Sequence, residues 1–127
     1  MQTNGGTGNV FAGQKGAASS GSISPFDAES LIKENASGTG FVVLNVRTSD
    51  EFSSGHLEKA INLDLLSPTF RSKLDGLERD NVYLVYCHSG NRGASALRTM
   101  SGMGFAGVYN ISGGITAWQE AGLPLVR

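Results

Sequence analysis

Cys87 is the only cysteine in this chain of 127 residues, and it directly follows the apolar run Val82-Tyr83-Leu84-Val85-Tyr86. Such a run reads as a buried strand, and Arg92 to Met103 read as a helix, so the thiol falls at a strand-to-helix junction. The intervening His88, Ser89, Gly90 and Asn91 are small or polar. Several backbone N–H groups can therefore turn toward one point in front of the helix N-terminus. A thiolate, or an anion held on its sulfur, is favoured there by those N–H groups, by the helix macrodipole and by Arg92. A lone cysteine at a strand end is more often a small buried hydrophobe than a nucleophile. That packing role needs neither a glycine-bearing turn nor an arginine facing the sulfur. The stretch is therefore read as a nucleophilic-cysteine loop, with Cys87 as catalytic residue and His88, Ser89, Gly90, Asn91, Arg92 and Gly93 as the residues that bind substrate.

The loop Cys87-His88-Ser89-Gly90-Asn91-Arg92 is similar to the active-site loop of the rhodanese family of sulfur-transferring domains. In that family a glycine stands third and an arginine fifth after the cysteine. Three more segments resemble the family in its order: Val43-Leu44-Asn45-Val46-Arg47 with Glu51-Phe52, Gly55-His56-Leu57 with Ala60-Ile61-Asn62, and Gly113-Gly114-Ile115 with Ala117-Trp118. The resemblance, to a single-domain rhodanese, covers about residues 23–127. It implies a small three-layer α/β fold with a central, mostly parallel five-stranded sheet and helices on both faces. It also implies a sulfurtransferase that moves sulfane sulfur from thiosulfate or a persulfide donor to a thiol or cyanide acceptor through a Cys87 persulfide, with no cofactor and no metal. A protein cysteine is a further possible acceptor, which would make the chain a sulfur relay.

The chemistry is covalent catalysis by double displacement, with ping-pong kinetics. Lowering a thiol pKa raises the thiolate fraction but lowers nucleophilicity, and the two effects largely offset. The larger contribution expected of the loop is its ring of N–H donors, which stabilises charge on the persulfide and on the transition state before it. Arg92 presents a planar fork suited to orienting an anionic donor, or alternatively to tying the loop down through its carbonyls. His88, beside the nucleophile, could tune it electrostatically. His56 reads as the cap of a turn, and Ser89 and Asn91 as shaping the loop.

The elements that must position this loop are legible from pattern. Ser24, Pro25 and Asp27 supply an N-cap, a first-turn proline and an acidic third residue for a helix to about Asn35, with Leu31 and Ile32 buried. Phe41 to Val46, like Val82 to Tyr86, runs without polar alternation and suggests a strand covered on both faces. Thr48 caps a short helix holding Glu51 and Phe52, Ala60 to Leu63 is a short strand, and Pro68 to Leu74 a third helix. Ala94, Leu97 and Met100 stripe the helix after the loop. Val108 to Ile111 is a last strand, and Ile115, Trp118 and Ala121 stripe a last helix ended by Gly122 and Pro124, with Trp118 as core. A sheet so built places its site at the carboxyl ends of the strands.

Residues 1–22 are dominated by Gly, Ser, Thr, Asn and Gln, with Val10 and Phe11 as their only large apolar side chains after Met1. They bury too little to offset ordering entropy and read as a flexible tail before a domain over 23–127. One domain with a sizeable core fits the length, and a monomer is expected. Ten basic against eleven acidic residues, a net charge of −1, advertise neither nucleic acid nor anionic membrane. There is no apolar signal core or spanning run, and a cytoplasmic protein is expected.

Several positions depart from the family pattern. Arg47, read as a supporting site residue, follows Asn45 where the family commonly has Asp-x-Arg, and is expected to pair with Glu51 four residues on. Thiosulfate-specialised relatives tend to carry arginine at about the Glu51 position, and an acid there repels a dianionic donor. Glu58-Lys59 replaces a common Pro-Gly, and Gly93 a common serine. Two other readings compete. Phosphatases on a related fold, and arsenate reductases, use a comparable loop, but the phosphatases have five residues between cysteine and arginine where this chain has four. The shorter loop suits one sulfur better than a phosphoryl group with three equatorial oxygens. A non-catalytic interaction module is the other, although such domains commonly lack the cysteine retained here.

Overall fold

The structure, a computed structural model, describes residues 19–127. Five strands, β1 (Ser19–Ile23), β2 (Phe41–Asn45), β3 (Ile61–Asn62), β4 (Val82–Tyr86) and β5 (Gly107–Ile111), form one sheet in the order β1-β5-β4-β2-β3. Every pairing is parallel. Parallel neighbours require crossovers, which are made by α1 (Pro25–Glu34), α2 (Ser49–Ser54), α3 (Phe70–Asp75) and α4 (Asn91–Gly102), while α5 (Gly114–Glu120) follows the last strand.

The unbroken apolar runs of β2 and β4 divide between two cores, as the pleat dictates. Val82, Leu84 and Tyr86 point to the side of Ala28 and Leu31 of α1 and Ile115 and Trp118 of α5. Tyr83, Val85 and Cys87 point to the side of Phe70 and Leu74 of α3 and Ala96 and Met100 of α4. This is the three-layer architecture expected, with a sheet wholly rather than mostly parallel. Trp118 is buried, and its indole N–H donates to the Pro124 carbonyl at 2.9 Å. Ser24 caps α1 by accepting from the Asp27 N–H at 3.1 Å, with Pro25 at the first position.

The N-terminal boundary needs correction. Residues 19–22, assigned above to a flexible tail, belong to β1, which pairs with β5 from Ser19↔Gly107 to Ile23↔Ile111. A Ser-Ser-Gly-Ser stretch carries no apolar period. It is held instead by backbone pairing and by hydroxyls: Ser20 Oγ accepts from the Val108 N–H at 3.0 Å and Ser22 Oγ from Asn110 Nδ2 at 3.1 Å. The remainder of the expected tail, residues 1–18, lies outside the described residues. A second departure concerns Lys59, which takes φ 66, the left-handed conformation that favours glycine. The glycine common in the family at this point fits that geometry without strain, whereas a lysine accepts about 1 kcal/mol.

Candidate active site

The carboxyl ends of β2, β4 and β5 lie together on one edge of the sheet, and β4 delivers Cys87 there with its side chain 1% exposed. The backbone then reverses through Gly90, whose φ of 107 is open to glycine. This conformation aims the Gly90 N–H at the thiol, donating to Cys87 Sγ at 3.0 Å. Gly90 is also the N-cap of α4, so the sulfur faces the end of a helix whose first-turn N–H groups have no intrahelical acceptor. His88, Ser89 and Asn91 are exposed around this cradle, and Gly93 is buried behind it.

The loop is clamped from two sides by residues that sequence reading did not assign to the site. At the start of α5, the N–H groups of Ile115 and Thr116 donate to the carbonyls of Cys87 and His88 at 2.8 and 3.1 Å. Gly113 and Gly114 permit that approach: both are left-handed, and a Cβ on Gly114 would stand 2.6 Å from each of those two carbonyl oxygens. From beneath, Asn110 Nδ2 donates to the Gly90 carbonyl at 3.3 Å and to Ser22 Oγ, linking β5 and β1 to the loop. A Cβ at Gly93 would fall 2.0 Å from Asn110 Oδ1, which explains the glycine here. Adjacent glycines at a strand end, Gly113-Gly114, were the one local signal of this clamp. Asn110 carried none.

Arg92 does not tie the loop down through its carbonyls, the second of the roles expected of it. Its two terminal nitrogens donate to the two carboxylate oxygens of Glu51 at 2.8 and 3.0 Å, and it bonds no loop carbonyl. Glu51 in turn is not the partner of Arg47. As third residue of α2 it closes a capping box, its Oε1 accepting from the Thr48 N–H at 2.9 Å while Thr48 Oγ1 accepts from the Glu51 N–H. Arg47 precedes the N-cap, where Thr48 is extended at φ −69 and ψ 162, so a spacing of four does not bring the two side chains onto one helical face. Arg47 is instead buried, donating from Nη1 to the Gly55 carbonyl at 2.8 Å. It stands beside Asn45, whose Oδ1 accepts from the Arg47 N–H and whose Nδ2 donates to the Tyr86 hydroxyl. Arg47 is thus held by Asn45 and Gly55 and makes no ion pair with Glu51. His56 caps α2, its Nδ1 donating to the Phe52 carbonyl at 2.9 Å and its ring stacked on Phe52.

The Arg92–Glu51 pair sets the electrostatics of the rim. The hydrogen bond from Arg92 is the largest cause that lowers the Glu51 carboxyl from 4.5 to about 2, against desolvation and with help from Thr48. Arg92 is raised, chiefly by Glu51, with smaller contributions from Cys87 and Asp64. A carboxyl lowered by folding adds stability that is complete above about 4.5 and lost as pH falls toward about 2. The side chains are 25% and 31% exposed, so screening reduces the full shift to about 1 kcal/mol. Chemical denaturation at pH 6 against pH 2.5 should show that loss in the wild type beyond the loss in Glu51→Gln. Equal losses would show that the pair contributes nothing to acid stability.

Two shallow depressions of about 310 and 280 Å³ lie elsewhere, lined by Ile32, Ala36 and Glu58 among others. The thiol receives the Gly90 N–H at 3.0 Å and stands outside both. Among the described residues no cluster of His, Cys, Asp or Glu is arranged to hold a metal, and no helix is long and apolar enough to cross a membrane.

The model of the rhodanese-like domain family matches residues 27–121. The chain belongs to the rhodanese-like family. A sulfurtransferase of Allochromatium vinosum is 30% identical over 105 residues, covering 82% of this chain and 95% of that protein. Thiosulfate sulfurtransferase GlpE of Pseudomonas putida is 33% identical, covering 76% and 83%. Among solved structures, a rhodanese-related protein of Thermoplasma volcanium superposes with a TM-score of 0.69 at 35% identity, covering 83% of this chain and 96% of that one. Against some longer relatives the chain spans only 52% to 64% of their length. In the rhodanese-like frame, Cys87 to Arg92 form the loop that resembles the family's active site, at the carboxyl ends of the strands where open α/β sheets bind ligands.

Proposed function

We propose that this rhodanese-like protein transfers sulfane sulfur through a persulfide on Cys87. The observation that carries the reading is the Gly90 N–H donating to Cys87 Sγ at 3.0 Å in front of the N-terminus of α4. A sulfur anion in that position gains a fixed hydrogen bond and the helix dipole without reorganisation. In the first step the Cys87 thiolate attacks the outer sulfur of the donor. A new S–S bond forms, the donor's S–S bond breaks, and its electron pair leaves on sulfite or on a thiolate. In the second step a thiol or cyanide attacks the terminal sulfur and the Cys87 thiolate departs. His88, Ser89 and Asn91, exposed around the cradle, line the approach, while Gly90, Gly93 and Arg92 shape it. The relatives named sulfurtransferase support this reaction class. A cytoplasmic setting, where thiols are kept reduced, would supply acceptors, and a protein cysteine would serve as well as a small thiol.

Intact-mass measurement after exposure to thiosulfate and to an alkyl persulfide tests the reading. The expected result is a gain of one sulfur atom, localised by peptide mapping to Cys87 and removed by cyanide at a rate no slower than turnover. Phosphate-ester hydrolysis or arsenate reduction without sulfur uptake would move the assignment to those chemistries. Absence of all three would leave a binding module.

A further inference from the structure

One buried polar side chain beneath the loop is held in a single orientation. Asn110 of β5 is 2% exposed, and no donor among the described residues reaches its Oδ1, which stands where a side chain on Gly93 would lie. A buried acceptor without a donor costs free energy, so the orientation is set from the other side of the amide. There both N–H groups of Nδ2 are used, one on Ser22 Oγ at 3.1 Å and one on the Gly90 carbonyl at 3.3 Å. Turned over, the amide would set its oxygen against the Gly90 carbonyl oxygen. Ser22 stands directly opposite Asn110 in the register of β1 and β5, so the anchor is part of the sheet.

Gly90 is the residue whose N–H donates to Cys87 Sγ at 3.0 Å, and at φ 107 and ψ −20 it has no side chain of its own to hold it there. Its carbonyl accepts from the Ala94 N–H at 3.0 Å as well as from Asn110, so the residue is gripped at its oxygen while its nitrogen faces the sulfur. Gly93 brings no side chain that could replace this donor. Resting on the persulfide reading above, we propose that Asn110 is a positioning residue for sulfur transfer: anchored by Ser22, it keeps Gly90 turned so that its N–H stays on Cys87 Sγ. Asn110 acts through Gly90 and makes no hydrogen bond to the sulfur. The step it serves balances as before: the Cys87 thiolate attacks the outer sulfur, one S–S bond forms, and the donor's S–S bond breaks with its electron pair leaving on sulfite or a thiolate. A donor already aimed at the sulfur stabilises its charge without reorganisation.

The test follows sulfur uptake from thiosulfate and from an alkyl persulfide by intact mass, and hydrogen exchange of the Gly90 amide by NMR. Wild type, Asn110→Ala, Ser22→Ala and the double variant are compared. Asn110→Ala should take up sulfur about tenfold more slowly and exchange the Gly90 amide about tenfold faster, while the amides of Leu84 and Val85 in β4 keep their wild-type rates. Ser22 is exposed, so Ser22→Ala leaves the core intact and decides the matter should Asn110→Ala melt early. It should slow uptake about threefold, speed Gly90 exchange, and add nothing to Asn110→Ala in the double variant. Wild-type behaviour in both single variants overturns the proposal, as does a change in only one of the two readouts. Exchange that quickens equally at Leu84 and Val85, or a Ser22 effect that adds in full, overturns it as well. A wild type that takes sulfur from neither donor overturns the persulfide reading itself. One that takes up sulfur at a rate neither variant changes refutes only the role of Asn110.

Discussion

Replacing Cys87 by serine should reduce sulfur transfer by at least about a thousandfold while leaving the fold in place, because a hydroxyl of much higher pKa is a poor sulfur nucleophile at neutral pH. The substitution is conservative in space. The side chain is 1% exposed and packs on the α4 side of the sheet, and the Gly90 N–H that donates to Sγ can donate to Oγ instead. The melting temperature should therefore stay within a few degrees of the wild type, since a buried hydroxyl with a partner costs little. Steady-state assays with both donors, read beside thermal unfolding, make the comparison. Residual transfer within about tenfold of wild type would remove Cys87 from the catalytic path.

Gly114→Ala should cost about 3 kcal/mol and disturb the loop at the same time. Two effects add. Gly114 has φ +62, where a side chain costs about 1 kcal/mol. A Cβ there also meets the Cys87 and His88 carbonyl oxygens at 2.6 Å, and these are backbone atoms at the mouth of the site that cannot swing aside. Relieving the clash means lengthening the hydrogen bonds from Ile115 and Thr116 that clamp the loop. Gly102→Ala is the control: nothing lies within 4 Å of its Cβ, and on the exposed end of α4 alanine should be neutral or mildly stabilising. Urea unfolding would report the stability loss, and the rate of Cys87 alkylation against pH would report the loop. A cost below about 1 kcal/mol would show that the junction of β5 and α5 relaxes freely.

What this sequence determined alone follows from local chemistry. Apolar runs long enough for a strand, Ser24 and Thr48 before acidic turns, and stripes at helical spacing placed β2, β4, α1, α2, α4 and α5 to within a few residues. The loop at Cys87 was legible because a glycine-bearing turn between a strand and a helix depends only on neighbours in the chain. The tertiary structure decided the partners. Arg92 and Glu51 are 41 residues apart, and no residue near either says that the fork will close on that carboxylate. The capping box took Glu51 away from Arg47, because the extended Thr48 separates them. Ser19 to Ser22 became a strand although its residues lack an apolar pattern, since the free edge of β5 supplied the hydrogen bonds that its own side chains could not announce. Asn110 reached under Gly90 for the same reason. Backbone conformation is written in adjacent residues, whereas the pairing of charges and edges is written in the packing of elements that meet only once the sheet has formed.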